Sequence, residues 1–433
     1  MNKILEKKIP LLFVTISISI LIYTFYKSEI LYDSQLKYYY SRYYILSFVL
    51  IFFSIITIFL SKNINFYIFL IFLLLIFFSY FYEYYLHSYG KKYLSNQIKH
   101  KLLENSEFDT RKKFEIFYDL KKKNKDISIV TYPGTRIGIG NLKFFPLSGR
   151  SNSETINCNE NGNYSIFKSD RYGFNNPDKE WEAPNTHYVL LGDSFIMGSC
   201  VDRPNDIASV MRRLSKKSVL NLGYGGNGPL IQFATLVEYL PENVEKVIWF
   251  YFEENDLDNL KNELKNKILK KYFLNNNFSQ KLKNKQKILD EEANKLIISE
   301  IEKYKNNKII SEVFNFKKFV KLYFLRRLLF KPSPDENFVK ILNNTNIFLQ
   351  KKNIKLFFVY LPSYKRYKFA YDQFHLQSVK KLVIKMGVDF IDMDKEVFSK
   401  EKNPLKLFPY EMDGHYNVQG YEKVAKKLIE IIK

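Results

Sequence analysis

Apolar and polar positions divide this chain into regions of different texture. Three long apolar runs fall within the first 86 residues: Ile9 to Tyr26, Tyr43 to Leu60, and Ile64 to Tyr82, none with a charged residue. A bilayer core takes roughly 20 mostly apolar residues per helix. The pattern therefore predicts a transmembrane region over residues 1–86, with helices at about 9–26, 43–60 and 64–82. Lys3, Lys7 and Lys8 ahead of the first run resemble the start of a signal peptide. No clear small-residue cleavage site comes after it and two more runs do, so the run reads as a retained anchor. Residues 87–126 are charged, mostly lack Gly and Pro, and read as a helical stalk.

From residue 127 to 186 the periodicity shortens. Tyr132-Pro133-Gly134, Ile137-Gly138-Ile139-Gly140 and Asn159-Glu160-Asn161-Gly162-Asn163 are turn signals between short β-like runs, predicting a β-rich segment packed on the domain C-terminal to it. From 187 to 433 strands and helices alternate. Strands are predicted at Tyr188–Leu191, Ser218–Asn221, Val247–Phe252, Ile354–Tyr360 and Val388–Ile391. Helices are predicted at Pro204–Leu214, Ile231–Leu240, Gln377–Met386 and from Asn417 to the end. The run Val247–Phe252 has no polar alternation, as expected of a strand covered on both faces. Such alternation implies an α/β fold, a parallel sheet with helices on both sides. A Lys/Asn/Glu-rich helical insertion, about 259–331, interrupts it. It reads as a solvated elaboration, with a lid or docking surface as the other possibility. Phe314-Asn315-Phe316 and the stretch Val320–Phe330, with Arg326 and Arg327, have the makings of an amphipathic, membrane-touching piece.

Composition changes this picture little. The formal net charge of +22 invites a nucleic-acid or anionic-membrane reading. Lysine, asparagine and aromatic residues are abundant throughout, the lysines crowd the insertion among glutamates, and no zinc-finger spacing or base-stacking motif accompanies them, so no nucleic-acid partner is expected. Cys158 and Cys200 are the two cysteines, either two buried thiols or one bridge if the domain lies outside the cytoplasm. No cluster has metal-ligand spacing, and no metal or cofactor is expected.

Four short blocks carry the candidate chemistry: Gly192-Asp193-Ser194-Phe195, Asn221 to Gly226, Asn255-Asp256, and Asp413-Gly414-His415. The first three come after successive strands, at the sheet edge where ligands bind in such folds. Ser194 opens a helix after the first strand and is the candidate nucleophile. His415 is its candidate base, with Asp413 to hold the imidazole tautomer. The backbone N–H groups of Ser194 and Gly226 and the side-chain amide of Asn255 would form an oxyanion hole. Asp193 reads as a brace for the nucleophile loop. The run Gly223 to Gly228 also fits Gly-x-Gly-x-x-Gly, but it comes after the second strand of the domain and not the first, which argues against a dinucleotide site.

In this order the blocks resemble the SGNH (GDSL-type) hydrolase superfamily over about His187 to Lys433, insertion excepted. The resemblance implies a flavodoxin-like three-layer α/β/α domain, with Ser194, Gly226, Asn255 and His415 as its named parts. Two departures stand out: Glu253-Glu254-Asn255-Asp256 replaces Gly-x-Asn-Asp, and Asp413 lies two residues before His415, not three. The shorter spacing resembles O-acetyl esterases and acetyltransferases of cell-surface polysaccharides. The function implied is a serine esterase working through an acyl-enzyme on a small-molecule or glycan ester. An O-acyltransferase and an inactive scaffold in polysaccharide assembly are the alternatives, and protein partners stay open. Lys and Arg counts beside the spans lean toward a cytoplasmic domain. Surface-glycan chemistry and a possible bridge lean outward, and a multi-pass protein with an extracytoplasmic catalytic domain is the expectation taken.

Overall fold

The computed structural model describes residues 3–31, 34, 37–104, 108–137, 143–275, 277–306, 316–329, 334–368 and 374–433. Gly138, Ile139, Gly140, Phe314, Asn315 and Phe330, singled out above, lie outside these. The chain forms two compact units, Met1–Ile98 with Glu312–Asn337, and Lys99–Ser311 with Phe338–Lys433.

The first unit is built on helices Lys3–Phe25, Lys37–Phe59 and Lys62–Glu104. Three stretches of them, Lys8–Leu31 (which runs on through a π-helical turn), Tyr40–Phe59 and Lys62–Ser88, are long and apolar enough to cross a membrane. Large apolar side chains such as Leu11, Phe52 and Leu75 point outward, while Ser17 and Ser54, both buried, hydrogen-bond at 2.8 Å between the first two helices. Small hydroxyl residues inside and bulky apolar ones outside is the arrangement suited to lipid. The last part of the insertion belongs to this unit. Glu83, fully buried, accepts from the N–H groups of Phe324 (3.0 Å) and Leu325 (2.8 Å), the first turn of helix Tyr323–Leu329. There its two oxygens take N–H groups that a helix start leaves without an intrahelical partner. Tyr80 donates to the Val320 carbonyl at 3.0 Å.

The second unit opens with helix Lys113–Lys121 and three short strands, β1 (Ile127–Ile129), β2 (Glu154–Ile156) and β3 (Ile166–Lys168). β1 is parallel to β2 and β2 antiparallel to β3. Ile116, Phe117, Ile127, Ile129, Ile156 and Ile297 close a small core of their own.

Five strands then form a wholly parallel sheet: β4 (Thr186–Leu191), β5 (Val219–Asn221), β6 (Val244–Phe252), β7 (Lys355–Leu361) and β8 (Asp389–Asp392). Their spatial order is β5-β4-β6-β7-β8, the flavodoxin-like order. β6 sits at the centre, and its alternate residues explain the unbroken apolar run. Ile248, Phe250 and Phe252 join the core beneath helices Ile207–Ser215 and Val418–Ile432. Trp249 and Tyr251 face the other side, where Trp249 Nε1 donates to Gln232 of helix Pro229–Tyr239 and the Tyr251 ring meets Phe338 of helix Glu336–Gln350 edge-on, centroids 5.5 Å apart. Asn417 is a cap: its side chain accepts the Gly420 N–H at 3.0 Å and starts the last helix.

The first half of the insertion is not a solvated elaboration. Leu264, Leu269, Tyr272, Leu282, Leu289 and Ala293 are buried, and Asp290 receives the Ser151 N–H and hydroxyl at 2.8 and 2.7 Å. Its lysines and glutamates are spaced so that an apolar stripe still meets the domain.

Candidate active site

β4 ends at Leu191, Gly192 comes next, and Asp193 caps the short helix Ser194–Met197 by accepting the Phe195 N–H at 2.9 Å. The expected brace is therefore in place, and Ser194 stands half-buried at the helix start. The loop after β5 is tied to this one: Leu222 N–H donates to Leu190 O at 2.8 Å, Tyr224 N–H to Gly192 O at 3.2 Å, and Asn221 Nδ2 to Ile196 O at 2.6 Å. That loop carries Gly226 at φ +74°, backbone that an L side chain adopts only at a cost. Asn255 lies after β6 and precedes helix Asp256–Glu263. Its Oδ1 is buried with no hydrogen-bond partner among the described residues. The Asn255 side chain lies close enough to the Asp193 carboxyl to favour its charged form.

His415 reaches back to the nucleophile, with Nε2 2.8 Å from Ser194 Oγ. Its other nitrogen does not meet Asp413. Nδ1 lies 3.0 Å from Glu160 Oε1, and the His415 backbone N–H donates to Glu160 Oε2 at 2.7 Å. One carboxylate thus holds both backbone and ring. With Nδ1–H donated to Glu160, Nε2 is left to accept the serine proton. Gly414 makes room for this, since a Cβ there would fall 2.6 Å from Glu160 Oε2. Asp413 instead faces Lys365 Nζ at 3.7 Å, so the tautomer-holding role assigned to it from its spacing is corrected to Glu160. Only its field reaches the ring, as one of the weaker charges acting on His415.

Electrostatics reflect burial and these partners. Desolvation pulls the His415 pKa down, but the Glu160 charge and hydrogen bond, with Asp193 and Asp413 behind them, outweigh it and leave the pKa above the usual 6.5. Burial pushes Asp193 up to about 6, against the opposing pull of the Phe195 N–H, His415 and Asn255. Asp256, buried and close to Asp193, is raised well above the ordinary carboxyl range by desolvation and by that neighbouring charge. The two glutamates that depart from Gly-x-Asn-Asp are both neutralised. Glu253 is fully buried against the Arg366 guanidinium and accepts the Ser363 N–H at 2.8 Å, while Glu254 pairs with Lys365. They clamp the loop after β6 to Ser363 and to the short helix Tyr364–Lys368 after β7.

Cys158 and Cys200 are joined in a disulfide. It closes 42 residues, a constraint on the unfolded chain of about 4 kcal/mol in the chain-entropy model. Cys200 lies six residues beyond Ser194 and Cys158 two before Glu160, so the bridge joins the segment carrying the acid to the one carrying the nucleophile. Cys200 Sγ sits 3.7 Å from His415 Nδ1. Among the described residues these two sulfurs and His415 are the one grouping with metal-ligating atoms close together, and the sulfurs are bonded to each other.

No family model and no curated protein matches the chain. Solved structures that share features of it include a lipolytic-family G-D-S-L protein from Desulfitobacterium hafniense DCB-2, at 12% identity and TM-score 0.31, covering 57% of this chain and 100% of that one. An acetyl xylan esterase, AlAXEase, aligns at 13% identity and TM-score 0.31, over 57% and 100%. A Lactobacillus plantarum protein aligns at 13% and 0.30, over 57% and 96%. Likeness at this level carries no argument about chemistry, which rests on the site itself.

Proposed function

We propose that this protein is a membrane-anchored serine esterase of the SGNH type. The observation that carries the reading is the continuous relay from Glu160 through His415 to Ser194, at 3.0 and 2.8 Å. An inactive scaffold has no need of it. Ser194 Oγ attacks the acyl carbonyl as His415 Nε2 takes its proton, and Glu160 stabilises the imidazolium formed. The oxyanion is received by the Ser194 and Gly226 N–H groups and by the Asn255 amide, which lie on three adjoining strand-end loops. Collapse returns the proton from His415 to the departing alkoxide. A water then gives its proton to His415, adds to the acyl-enzyme, and releases the acid and free Ser194. A sugar hydroxyl in place of water would make the same parts a transferase, which analysis of products with a glycan acceptor separates.

The substrate in this reading is an O-acyl, above all O-acetyl, group on a surface glycan. A cavity of about 370 Å³ beside Gly226, lined also by Gly134, Asn259, Asn262 and Lys265, supports this, because side-chain amides suit sugar hydroxyls. The three apolar helices support a multi-pass protein. The Cys158–Cys200 disulfide supports an extracytoplasmic catalytic unit, against the charge count beside the spans. A reporter fused after Lys433 tests sidedness, and a cytoplasmic signal refutes it. The central test is Ser194→Ala, which is expected to lower p-nitrophenyl acetate hydrolysis by about 10⁴-fold or more while the far-UV spectrum is unchanged. Equal activity in the two proteins would end the reading.

A further inference from the structure

The bridge is more than a staple, because its buried sulfur touches the catalytic base. We propose that the Cys158–Cys200 disulfide is a redox gate on the catalytic pair: bridged, it holds Glu160 against His415; reduced, it leaves a Cys200 thiolate beside Nδ1 that keeps the imidazole protonated and the base disabled. This rests on the esterase reading of the same site for its consequence, though not for its chemistry.

Three observations carry it. Cys158 is two residues from Glu160, so the bridge fixes the origin of the short arm that delivers the carboxylate. Cys200 Sγ is 3.7 Å from Nδ1, within reach of the same hydrogen that Glu160 accepts. The two residues also differ in exposure: Cys200 is 2% exposed and Cys158 partly exposed. The groups facing His415 are Ser194, Glu160, Asp193, Asp413 and Cys200, with the Phe195 ring 4.9 Å away. Three carboxylates already favour the imidazolium form. One more anion at Nδ1 adds to that bias, and the imidazolium in turn stabilises the thiolate.

Reduction needs a dithiol. One reagent thiolate attacks Sγ of Cys158, the more exposed residue of the pair, the S–S bond breaks, and the electron pair leaves on Cys200 Sγ, the better leaving group because His415⁺ stabilises it. The second reagent thiol resolves the mixed disulfide, frees Cys158 and closes the reagent into its own disulfide. The reagent's two protons end on Cys158 and on His415. Besides the bridge, the loop has two ties that reduction does not cleave: Asn161 Nδ2 donates to Cys200 O at 2.8 Å and Asn159 Nδ2 to Asp109 O at 2.8 Å. An oxidising compartment would keep such an enzyme on, and a reducing one would keep it off before export.

The test uses the full chain in detergent micelles with dithiothreitol. Mass spectrometry should count two free thiols, kcat/KM for p-nitrophenyl acetate at pH 7 should fall at least tenfold, and reoxidation should restore it. The acid limb of the pH profile should move to higher pH in the reduced form. Alkylation by iodoacetamide, mapped by peptide, reads the thiolate without any ester chemistry. In reduced wild type and in Cys158→Ser, Cys200 should titrate below the ordinary thiol value of about 8.5, and His415→Ala should return it there. Reduced protein, verified by mass, that keeps activity within twofold overturns the gate. So does a Cys200 that titrates at or above the ordinary value. Loss of the esterase reading would show separately, as Ser194→Ala retaining the oxidised activity.

Discussion

Two parts of the second unit meet at His415, and they reach it by different routes. The parallel sheet brings Ser194, Gly226 and Asn255 to one edge on successive strand ends, and the loop before the last helix adds the histidine. The β-rich segment before the sheet contributes the carboxylate on its ring, Glu160, from 255 positions away in sequence. The sheet domain has its own acid, Asp413, two residues from the base, yet that carboxylate turns to Lys365. Proximity in sequence therefore did not choose the carboxylate that meets the imidazole. The bidentate grip of Glu160 on the ring and on the backbone N–H did, helped by a glycine that gives it space.

The sharpest way to break this comparison is to neutralise the distant acid. Glu160→Gln removes the charge that stabilises imidazolium and leaves one acceptor oxygen for the two N–H groups that the carboxylate holds, and kcat should fall about 10³- to 10⁴-fold. Steady-state kinetics on p-nitrophenyl acetate with a thermal melt checks it. A drop under tenfold would return the role to Asp413 or to no acid at all. Next in size is the hole. Asn255→Ala should cost about 10²- to 10³-fold in kcat with KM little changed, since the donor acts on charge formed in the transition state. A KM effect alone would mean that Asn255 binds the ground state or only braces Asp193.

How far the site could be read from the sequence tracks the same division. The sheet was legible because both faces of β6 are covered: Val247–Phe252 carries no polar break, and helices alternate with strands at regular spacing. Ser194, Asn255 and His415 were legible because each stands in a short block directly after a strand or before a helix. Glu160 was not. Its block, Asn159 to Asn163, reads as a turn, and nothing local separates a catalytic glutamate from a solvated one. The signal lay in the cysteines: a Cys158–Cys200 bridge would have carried Glu160 close to Ser194, but pairing was open. The packed half of the insertion was hidden for another reason, its apolar residues diluted among lysines and glutamates. Glu253 and Glu254 stood out as a departure because their partners, Arg366 and Lys365, come from the short helix Tyr364–Lys368 after β7.

The titration of His415 sharpens the comparison further. Its pKa is raised in the folded protein, so the imidazolium form is favoured and the neutral base appears only at higher pH. The acid limb of kcat/KM should have its midpoint above 6.5. By the same linkage the folded state gains stability from this group below its unfolded pKa, about 6.5, and loses that gain as pH rises through the folded value. In Glu160→Gln the main opposing charge is gone and desolvation prevails, so the midpoint should move to lower pH. A midpoint that stays put would mean that Asp193 and Asp413 carry the shift.

The smallest expected effect falls on the nearer acid. Asp413→Asn keeps the side-chain shape, removes a charge that touches Lys365 and not the imidazole, and should change kcat by no more than about threefold, as befits a partly exposed pair. What it should change is the position of the acid limb, slightly to lower pH, because Asp413 adds a minor share to the field on His415. Lys365 would keep Glu254 as its partner, so the loop should hold. If Asp413→Asn were as damaging as Glu160→Gln, the two carboxylates would be acting together. The β-rich segment would then share the acid's work with the sheet domain.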